Sequence, residues 1–212
     1  MGSTPTTGTI AMQKKADARK KSVLAYVIGV ALGDGNLSNP NGRAVRLRIS
    51  CDAKYPNLIQ NIRSAIQEVF PENKVSTVNK PRNCVDVSCY SNQWEGLLGW
   101  EAKGGPKHHQ NVNIPPWIFS RKKYLANCLK GLIETDGSVY EDRGYQMMMF
   151  TTVIPGLAES FNRAVKNLGF QPHLYKLENQ KTQNGGDKQT LYHVRLSKDV
   201  KNFVKLVKPK KF

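Results

Sequence analysis

The chain has 212 residues, long enough for one large domain or two packed domains of about 100 residues, so it can bury a core without disulfides. Its 32 Lys and Arg against 16 Asp and Glu give a formal net charge of +16, which favours nucleic acid over a membrane surface as partner. No apolar run reaches the ~20 residues that span a bilayer, and the cysteines lack zinc-site spacing.

The N-terminal segment, residues 1–21, carries five Lys and Arg and one acidic residue. It is expected to be a flexible basic arm, with an organellar presequence as the alternative. It lacks the apolar core of a secretory signal. We therefore expect an intracellular protein, of a bacterial or archaeal cytoplasm or of an organelle, with reduced cysteines.

The first repeat unit is predicted over residues 22–103. An apolar helix over about 22–33 ends at Asp34-Gly35 and is followed by the alternating strand AVRLRISC. An amphipathic helix then presents Leu58, Ile62, Ile66 and other apolar residues on one face. The strand candidates KVSTVNK and CVDVSCY and a closing helix over 93–100 complete the unit.

A segment rich in Gly, Pro, Asn and Lys follows and is predicted to be a linker over residues 104–119. The Pro115-Pro116 pair is expected to stop any regular structure before the next helix.

The second repeat unit, residues 120–212, follows the same order. A helix over about 121–135 ends at Asp136-Gly137, and then come the strand YQMMMFTT, an amphipathic helix from Leu157 to Leu168, the strands QPHLYKLE and QTLYHVRLS, and a closing helix over 198–207. We predict an α+β fold of two pseudo-symmetric αββαββα halves. Each half forms a four-stranded antiparallel sheet with helices on one face.

Small residues line one face of both Asp-Gly helices. Gly29 and Gly33 in the first helix correspond to Gly131 and Thr135 in the second, so the two backbones are expected to pack closely along this strip. Packing of this kind places Asp34 and Asp136 together at the negative ends of two helix dipoles. A cation relieves that conflict, and two hard oxygen ligands suit Mg²⁺.

The segments VIGVALGDG and LKGLIETDG, whose aspartates are 102 positions apart, resemble the signature of the LAGLIDADG homing endonucleases. The resemblance covers nearly the whole chain after residue 21 and is that of the single-chain, two-motif type. It implies a DNA-binding saddle, metal ligation by Asp34 and Asp136 with help from the backbone carbonyls of Gly33 and Thr135, and double-strand cleavage by an intron- or intein-associated enzyme. Leu32 and Glu134 depart from the signature, at a position that does not bind the metal.

The expected cofactor is Mg²⁺, with Mn²⁺ as a substitute and Ca²⁺ binding without cleavage. Lys107 and its counterpart near the other end of the chain, Lys208 or Lys210, are candidates for stabilising charge on the phosphate, and solvated surface lysines are the alternative. Polar residues at strand ends, such as Ser50 and Thr151, are candidates for ordering water or for plain strand capping. His108 and His109 favour an exposed or DNA-contacting loop over a metal site.

Strand parity predicts which side chains face the DNA. The predicted DNA-facing residues are Arg46, Arg48, Ser50, Asp86, Ser88, Tyr90, His193 and Arg195. For YQMMMFTT the parity is ambiguous, because methionines occupy both faces. The alternative role of such a polar face is to keep the sheet soluble.

The expected partner is double-stranded DNA with a long asymmetric target, bound by a monomer without an obligate protein partner or membrane contact. A cleavage-deficient binding module, such as an intron-splicing maturase acting on RNA or a DNA-binding regulator, is the alternative. Retention of both motif aspartates favours the enzyme.

Overall fold

The computed structural model describes residues 7–178 and 189–211, with side chains from residue 15 onward. The helices are α1 (Thr7–Asp34), α2 (Pro56–Val69), α3 (Trp94–Leu98), α4 (Lys122–Asp136), α5 (Pro155–Asn167) and α6 (Val200–Val207). The strands are β1 (Gly35–Ser38), β2 (Arg46–Asp52), β3 (Val75–Lys80), β4 (Cys84–Tyr90), β5 (Gly137–Asp142), β6 (Tyr145–Thr152), β7 (His173–Leu177) and β8 (Leu191–Leu196).

The two halves share one topology. The first sheet has the strand order β1-β2-β4-β3 and the second has β5-β6-β8-β7, with antiparallel pairing throughout. Each motif helix leads directly into the edge strand of its own sheet, since β1 starts at Gly35 and β5 at Gly137. The predicted α+β fold of two αββαββα halves is confirmed.

One face of each sheet packs on helices. In the first half Leu47, Ile49 and Val87 are fully buried beside the apolar face of α2. In the second half Phe150 of β6 stacks on Phe161 of α5, with ring centroids 4.1 Å apart. Met148, Phe150 and Thr152 are the buried members of β6, which resolves its ambiguous parity. The opposite face of both sheets remains available to a ligand.

Helices α1 and α4 pack against each other at the centre of the molecule, and residues 25–32 of α1 are buried on every side. A Cβ added at Gly29 would lie 2.1 Å from the carbonyl oxygen of Cys128, and one at Gly131 would lie 2.5 Å from that of Tyr26. A Cβ at Gly33 would overlap the Thr135 side chain. The predicted strip of small residues therefore forms the helix interface, and only glycine allows this backbone separation.

The predicted flexible arm is corrected in part. Helix α1 begins at Thr7 rather than near residue 22, so residues 7–21 extend the motif helix. No Pro or Gly interrupts the chain between Gly8 and Gly29, and residues 11–21 are rich in Ala, Lys, Arg and Gln, which favour helix. Arg19 pairs with Glu68 of α2 at 2.9 Å. Residues 1–6 of the predicted arm lie outside the described part of the chain.

The prediction for the linker is also corrected. Residues 101–115 contain no helix or strand, but Pro116 begins a 3₁₀-helix, Pro116–Ser120, instead of preventing one. The fixed φ of proline suits the first position of a helix, where its missing N–H is not needed. Val112, Ile114 and Ile118 are buried, so this connection packs against the two halves.

We predict that Gly29→Ala lowers the free energy of unfolding by about 3 kcal/mol, because its Cβ forces α1 away from α4. Urea denaturation measures the change. Gly96→Ala in α3 is the matched control, since its Cβ meets no atom within 4 Å, and it should change stability by less than about 1 kcal/mol. Equal effects of the two substitutions would show that the interface tolerates separation.

Candidate metal centre and nucleic-acid interface

The central feature of the site is the pair of carboxylates at the adjoining ends of α1 and α4. Asp34 is the last residue of α1 and Asp136 the last residue of α4. The Asp136 carboxylate lies beside α1, with its Oδ2 3.0 Å from the position of a Cβ on Gly33. The structure thus brings together the two aspartates that the motif spacing predicted.

The site disfavours ionisation of both carboxyl groups. Burial and, after it, the charge of Asp34 raise the pKa of Asp136 to about 6 against the opposing charges of Lys107 and Lys211. Asp34 is an exposed residue as a whole, but protein atoms crowd its carboxyl group and raise its pKa as well, against the charges of the same two lysines. Positive charge is therefore what this end of the helix pair requires.

Lys107 supplies part of that charge from the connection between the halves. Its Nζ donates to the carbonyl oxygens of Leu32 at 2.8 Å, of Ala31 at 3.2 Å and of Gly33, all at the C-terminal end of α1. Burial lowers the pKa of Lys107 to about 8, although both aspartates act in the opposite direction. The structure places this predicted residue in the site.

The basic counterpart in the second half is Lys211, which sequence reasoning missed. Lys211 Nζ donates to the carbonyl oxygen of Thr135 at 3.0 Å, at the end of α4. The predicted Lys208 is instead an exposed residue that directly follows the last residue of α6. Lys210 Nζ donates to Asn61 Oδ1. Three lysines within four positions are equivalent by pattern, and only the path of the chain after α6 distinguishes them.

Glu134 does not join the aspartate pair. Its side chain is fully buried and accepts hydrogen bonds from the Tyr26 hydroxyl and from the Lys210 backbone N–H, each at 2.7 Å. Burial raises the pKa of Glu134, and these two hydrogen bonds oppose the shift. Within residues 15–178 and 189–211 no group of three His, Cys, Asp or Glu side chains is arranged to hold a metal.

The donor set for a metal is therefore two carboxylates with neighbouring backbone carbonyls. This set fits a hard divalent cation that completes its coordination with phosphate and water. The carbonyls of Gly33 and Thr135, predicted as further ligands, accept hydrogen bonds from Lys107 and Lys211. Direct ligation by these carbonyls would thus require the two ammonium groups to move.

A pocket of about 480 Å³ opens beside the carboxylates. Its lining includes Gly33, Lys107, His108, Asp136 and Thr151. Thr151 and Thr152, predicted to order water or cap a strand, also line this pocket. His108 contacts Gln189 across the cleft at 3.4 Å.

The free faces of the two sheets carry the residues predicted to bind DNA. Arg46, Arg48, Ser88, His193 and Arg195 are half-buried there, and Ser50 and Tyr90 are exposed. The free faces of the two sheets, β1–β4 and β5–β8, are together called the saddle below. Their parity agrees with the prediction, because the alternate residues Leu47, Ile49, Val194 and Leu196 are fully buried.

Asp86, which strand parity predicts to point outward, is partly covered by its neighbours. It lies on the saddle face but is only 8% exposed. Ser50 Oγ donates to its Oδ1 at 2.9 Å, and Lys80 Nζ lies 3.9 Å from its Oδ2. The neighbouring strands cover it, which period-two parity cannot foresee.

Several nitrogens of the saddle are buried without a hydrogen-bond partner in the described part of the chain. They are Nε of Arg48, Nε2 of His193 and Nε of Arg195. A buried donor without an acceptor costs about 1–3 kcal/mol, so an acceptor supplied to either arginine nitrogen would stabilise the protein. Three of the five buried side-chain atoms without a partner in the described residues lie on the saddle.

Comparison with known proteins agrees with this architecture. Residues 123–208 match the family model described as a LAGLIDADG-like domain. The second half of the chain thus matches the LAGLIDADG-like domain, and the first half repeats the same order of helices and strands after its own motif helix. No curated protein sequence matches the chain.

This chain resembles solved structures of the homing endonuclease I-DmoI and of DUF199/WhiA. A structure of mesophilic variants of I-DmoI has a TM-score of 0.61 and 17% identity, covering 89% of this chain and 96% of that one. I-DmoI in complex with DNA and Mn has a TM-score of 0.60 and 17% identity, and the match covers 91% of this chain and 97% of that one. The N-terminal LAGLIDADG domain of DUF199/WhiA has a TM-score of 0.55 and 14% identity, and the match covers 89% of this chain and 83% of that one. At such identities the likeness establishes the fold.

All four cysteines are free, and Cys51, Cys89 and Cys128 are buried. No helix in the described residues combines the length and apolar character needed to cross a membrane.

We predict that Asp136→Asn stabilises the protein at pH 7.5 in chelator by about 2 kcal/mol. The pKa of Asp136 in the folded protein, about 6, exceeds its ordinary 3.8, so the ionised group penalises folding. This penalty is absent below pH 4, grows as the pH rises towards 6 and is complete above it. Urea denaturation from pH 4 to pH 8 measures the difference.

The control for that substitution is Glu141→Gln, which removes an exposed carboxylate from neighbouring β5. It should leave stability nearly unchanged at every pH. Mg²⁺ should stabilise the wild type and not Asp136→Asn, because the ion binds the ionised carboxylates. A gain for Asp136→Asn that is the same at pH 4 and pH 8 would contradict the electrostatic explanation.

Proposed function

We propose that this protein is a site-specific double-strand DNA endonuclease of the homing type, associated with an intron or intein. The observation that carries the proposal is the convergence of Asp34 and Asp136 at one end of the central helix pair, between Lys107 and Lys211. Two acidic ligands flanked by two basic side chains suit hydrolysis of a phosphodiester.

The proposed cofactor is Mg²⁺, held by Asp34 and Asp136. When bound, a divalent ion lowers the pKa of water and withdraws charge from the scissile phosphate. Mn²⁺ should replace Mg²⁺, and Ca²⁺ should support binding without cleavage. Solved complexes of I-DmoI with DNA contain Mn or Ca, which supports the use of divalent metal at such a site.

The chain's own residues supply the rest of the chemistry. Lys107 and Lys211 place positive charge where the leaving oxygen develops negative charge, once their ammonium groups turn from the carbonyls of Gly33 and Thr135 towards the phosphate. Thr151, in the lining of the pocket beside Asp136, is positioned to orient water. The second lysine of the proposed mechanism is therefore Lys211 in place of Lys208.

The saddle is the proposed DNA-binding surface. Arg48, Arg195 and His193 have buried nitrogens without a partner in the described residues, and the chain has a net charge of +16. Arg48 and Arg195 are the proposed contacts to guanine O6 and N7, the commonest partners of arginine in the major groove. Binding should weaken steeply as salt rises, because phosphate contacts release counterions.

The two halves of the saddle differ at matching positions, which supports an asymmetric target. Ser50 pairs with Asp86 in the first half, and Thr151 contacts His193 in the second at the same register. The first pair contains Asp86 and the second contains His193, so the two pairs should select different nucleotide bases. We propose that a monomer reads two unlike half-sites about 10 base pairs apart.

A cleavage-deficient module that binds DNA or RNA, such as a maturase or a regulator, is the second candidate. The same fold forms the N-terminal domain of DUF199/WhiA, so the fold does not decide the activity. Binding alone gives no reason to keep two carboxylates with raised pKa values where phosphate must approach. Retention of both therefore favours the nuclease.

The deciding experiment incubates the full chain with a randomised double-stranded DNA library, with Mg²⁺ or with EDTA, and sequences the ends produced. We expect both strands to be cut at one enriched sequence in Mg²⁺ only. The double variant Asp34→Asn and Asp136→Asn should bind that sequence without cutting it. Sequence-specific binding with no Mg²⁺-dependent ends would favour the binding module.

The saddle is tested by the affinity for the selected sequence. Arg195→Ala should weaken specific binding about 10- to 100-fold and relax base preference at one position. The substitution removes the guanidinium that is proposed to form a bidentate contact with guanine. Arg63→Ala removes the same charge from the exposed surface of α2, and it should leave specific affinity within about threefold. Equal losses for both variants would mean that binding depends on net charge alone.

A further inference from the structure

The segment after α6, residues 208–211, contacts the end of α4 at two points and α2 at a third. Lys210 N–H donates to Glu134 Oε1 at 2.7 Å, Lys210 Nζ to Asn61 Oδ1 at 2.9 Å, and Lys211 Nζ to the Thr135 carbonyl at 3.0 Å. The first and third of these contacts are partly buried, and the Glu134 side chain itself is fully enclosed. Glu134 therefore holds the segment in place through the backbone N–H of Lys210.

Glu134 is itself fixed by the central helix pair. Its second oxygen accepts the Tyr26 hydroxyl of α1 at 2.7 Å, and Lys130 Nζ lies 4.0 Å from the first. Burial and the charge of Glu134 raise the pKa of Tyr26, so the phenol stays protonated and remains a donor. One carboxylate therefore links α1, α4 and the segment that carries Lys211.

The first half holds its lysine in a different way. Leu32 stands at the position that matches Glu134, so no acid is available there. The loop that carries Lys107 is tied by Gln110, which accepts the Glu101 N–H at 2.8 Å and donates to the carbonyls of Glu101 at 3.0 Å and Gly105 at 2.9 Å. The two lysines thus depend on two unrelated anchors.

We infer that Glu134 is a positioning residue that holds Lys211 against α4 for the cut of one DNA strand, while Gln110 does the same for Lys107 and the other strand. The inference rests on the proposed endonuclease function. Each lysine contacts the end of a different motif helix, so each is nearest the half of the site that its own helix forms. Loss of one anchor therefore uncouples the two cuts.

The anchor is tested without any cleavage, by amine labelling of the free protein followed by mass spectrometry. Glu134→Leu keeps the volume but removes the acceptor, and it should speed labelling of Lys211 about fivefold relative to the exposed Lys208. Glu134→Gln retains a carbonyl acceptor for the Lys210 N–H and should label like the wild type. Unchanged labelling of Lys211 in Glu134→Leu overturns the anchor, whatever the activity of the protein.

Strand selectivity is tested with the sequence selected by the wild type, labelled differently on each strand. Glu134→Leu and Lys211→Met should slow cutting of the same strand about 10-fold or more, with the other strand within about twofold. Gln110→Leu should show the opposite bias, and Glu134→Gln should cut both strands. A general loss of fold would slow both strands equally and would not give opposite biases.

The outcomes separate the two levels of the argument. If the wild type cuts both strands and Glu134→Leu cuts them at equal rates, the positioning role is wrong and the endonuclease stands. If the wild type cuts no DNA, the endonuclease is wrong, and the labelling of Lys211 still decides whether Glu134 is the anchor.

Discussion

The structure depends on the close packing of α1 against α4. Glycine at positions 29 and 131 lets the backbones meet where any Cβ would overlap a carbonyl oxygen. This contact carries both helix ends to one place and gives the site two carboxylates at the negative ends of two dipoles. Desolvation raises the pKa of both carboxyl groups, and the charge of Asp34 further contributes to the raised pKa of Asp136, so positive charge stabilises this site. Lys107 and Lys211 supply part of this positive charge, and a divalent ion supplies the rest in the proposed function.

The backbone repeats but the side chains do not. Both halves have the same strand order and register, so the saddle has two matching surfaces. At matching positions of these surfaces the first half has Asp86 and the second half has His193. The lysines are also held by different means, a buried carboxylate in one half and a loop amide in the other. A repeated frame with divergent contacts is what a single chain needs in order to act on both strands of an asymmetric sequence.

Most elements and the parity of their strands were predictable, because hydrophobic periodicity reports local burial. The errors arose where distant contacts decide. Helix α1 continues back to Thr7, and the second lysine is Lys211. Pro116 begins a 3₁₀-helix at a position where the sequence pattern predicted no regular structure. The boundary from residue 104 to 119 remains an interpretation of composition.

The sequence by itself determined the repeat, the α+β order of each half and the pairing of Asp34 with Asp136, because two similar motifs with small-residue faces are written directly in its letters. Only the tertiary structure decided which basic residues complete the site. Lysines 208, 210 and 211 are alike locally, and the choice among them follows from Glu134, which lies 76 positions before Lys210 and binds its backbone N–H. A contact over such a distance leaves no periodic trace in the chain, since it depends on where α6 ends relative to α4.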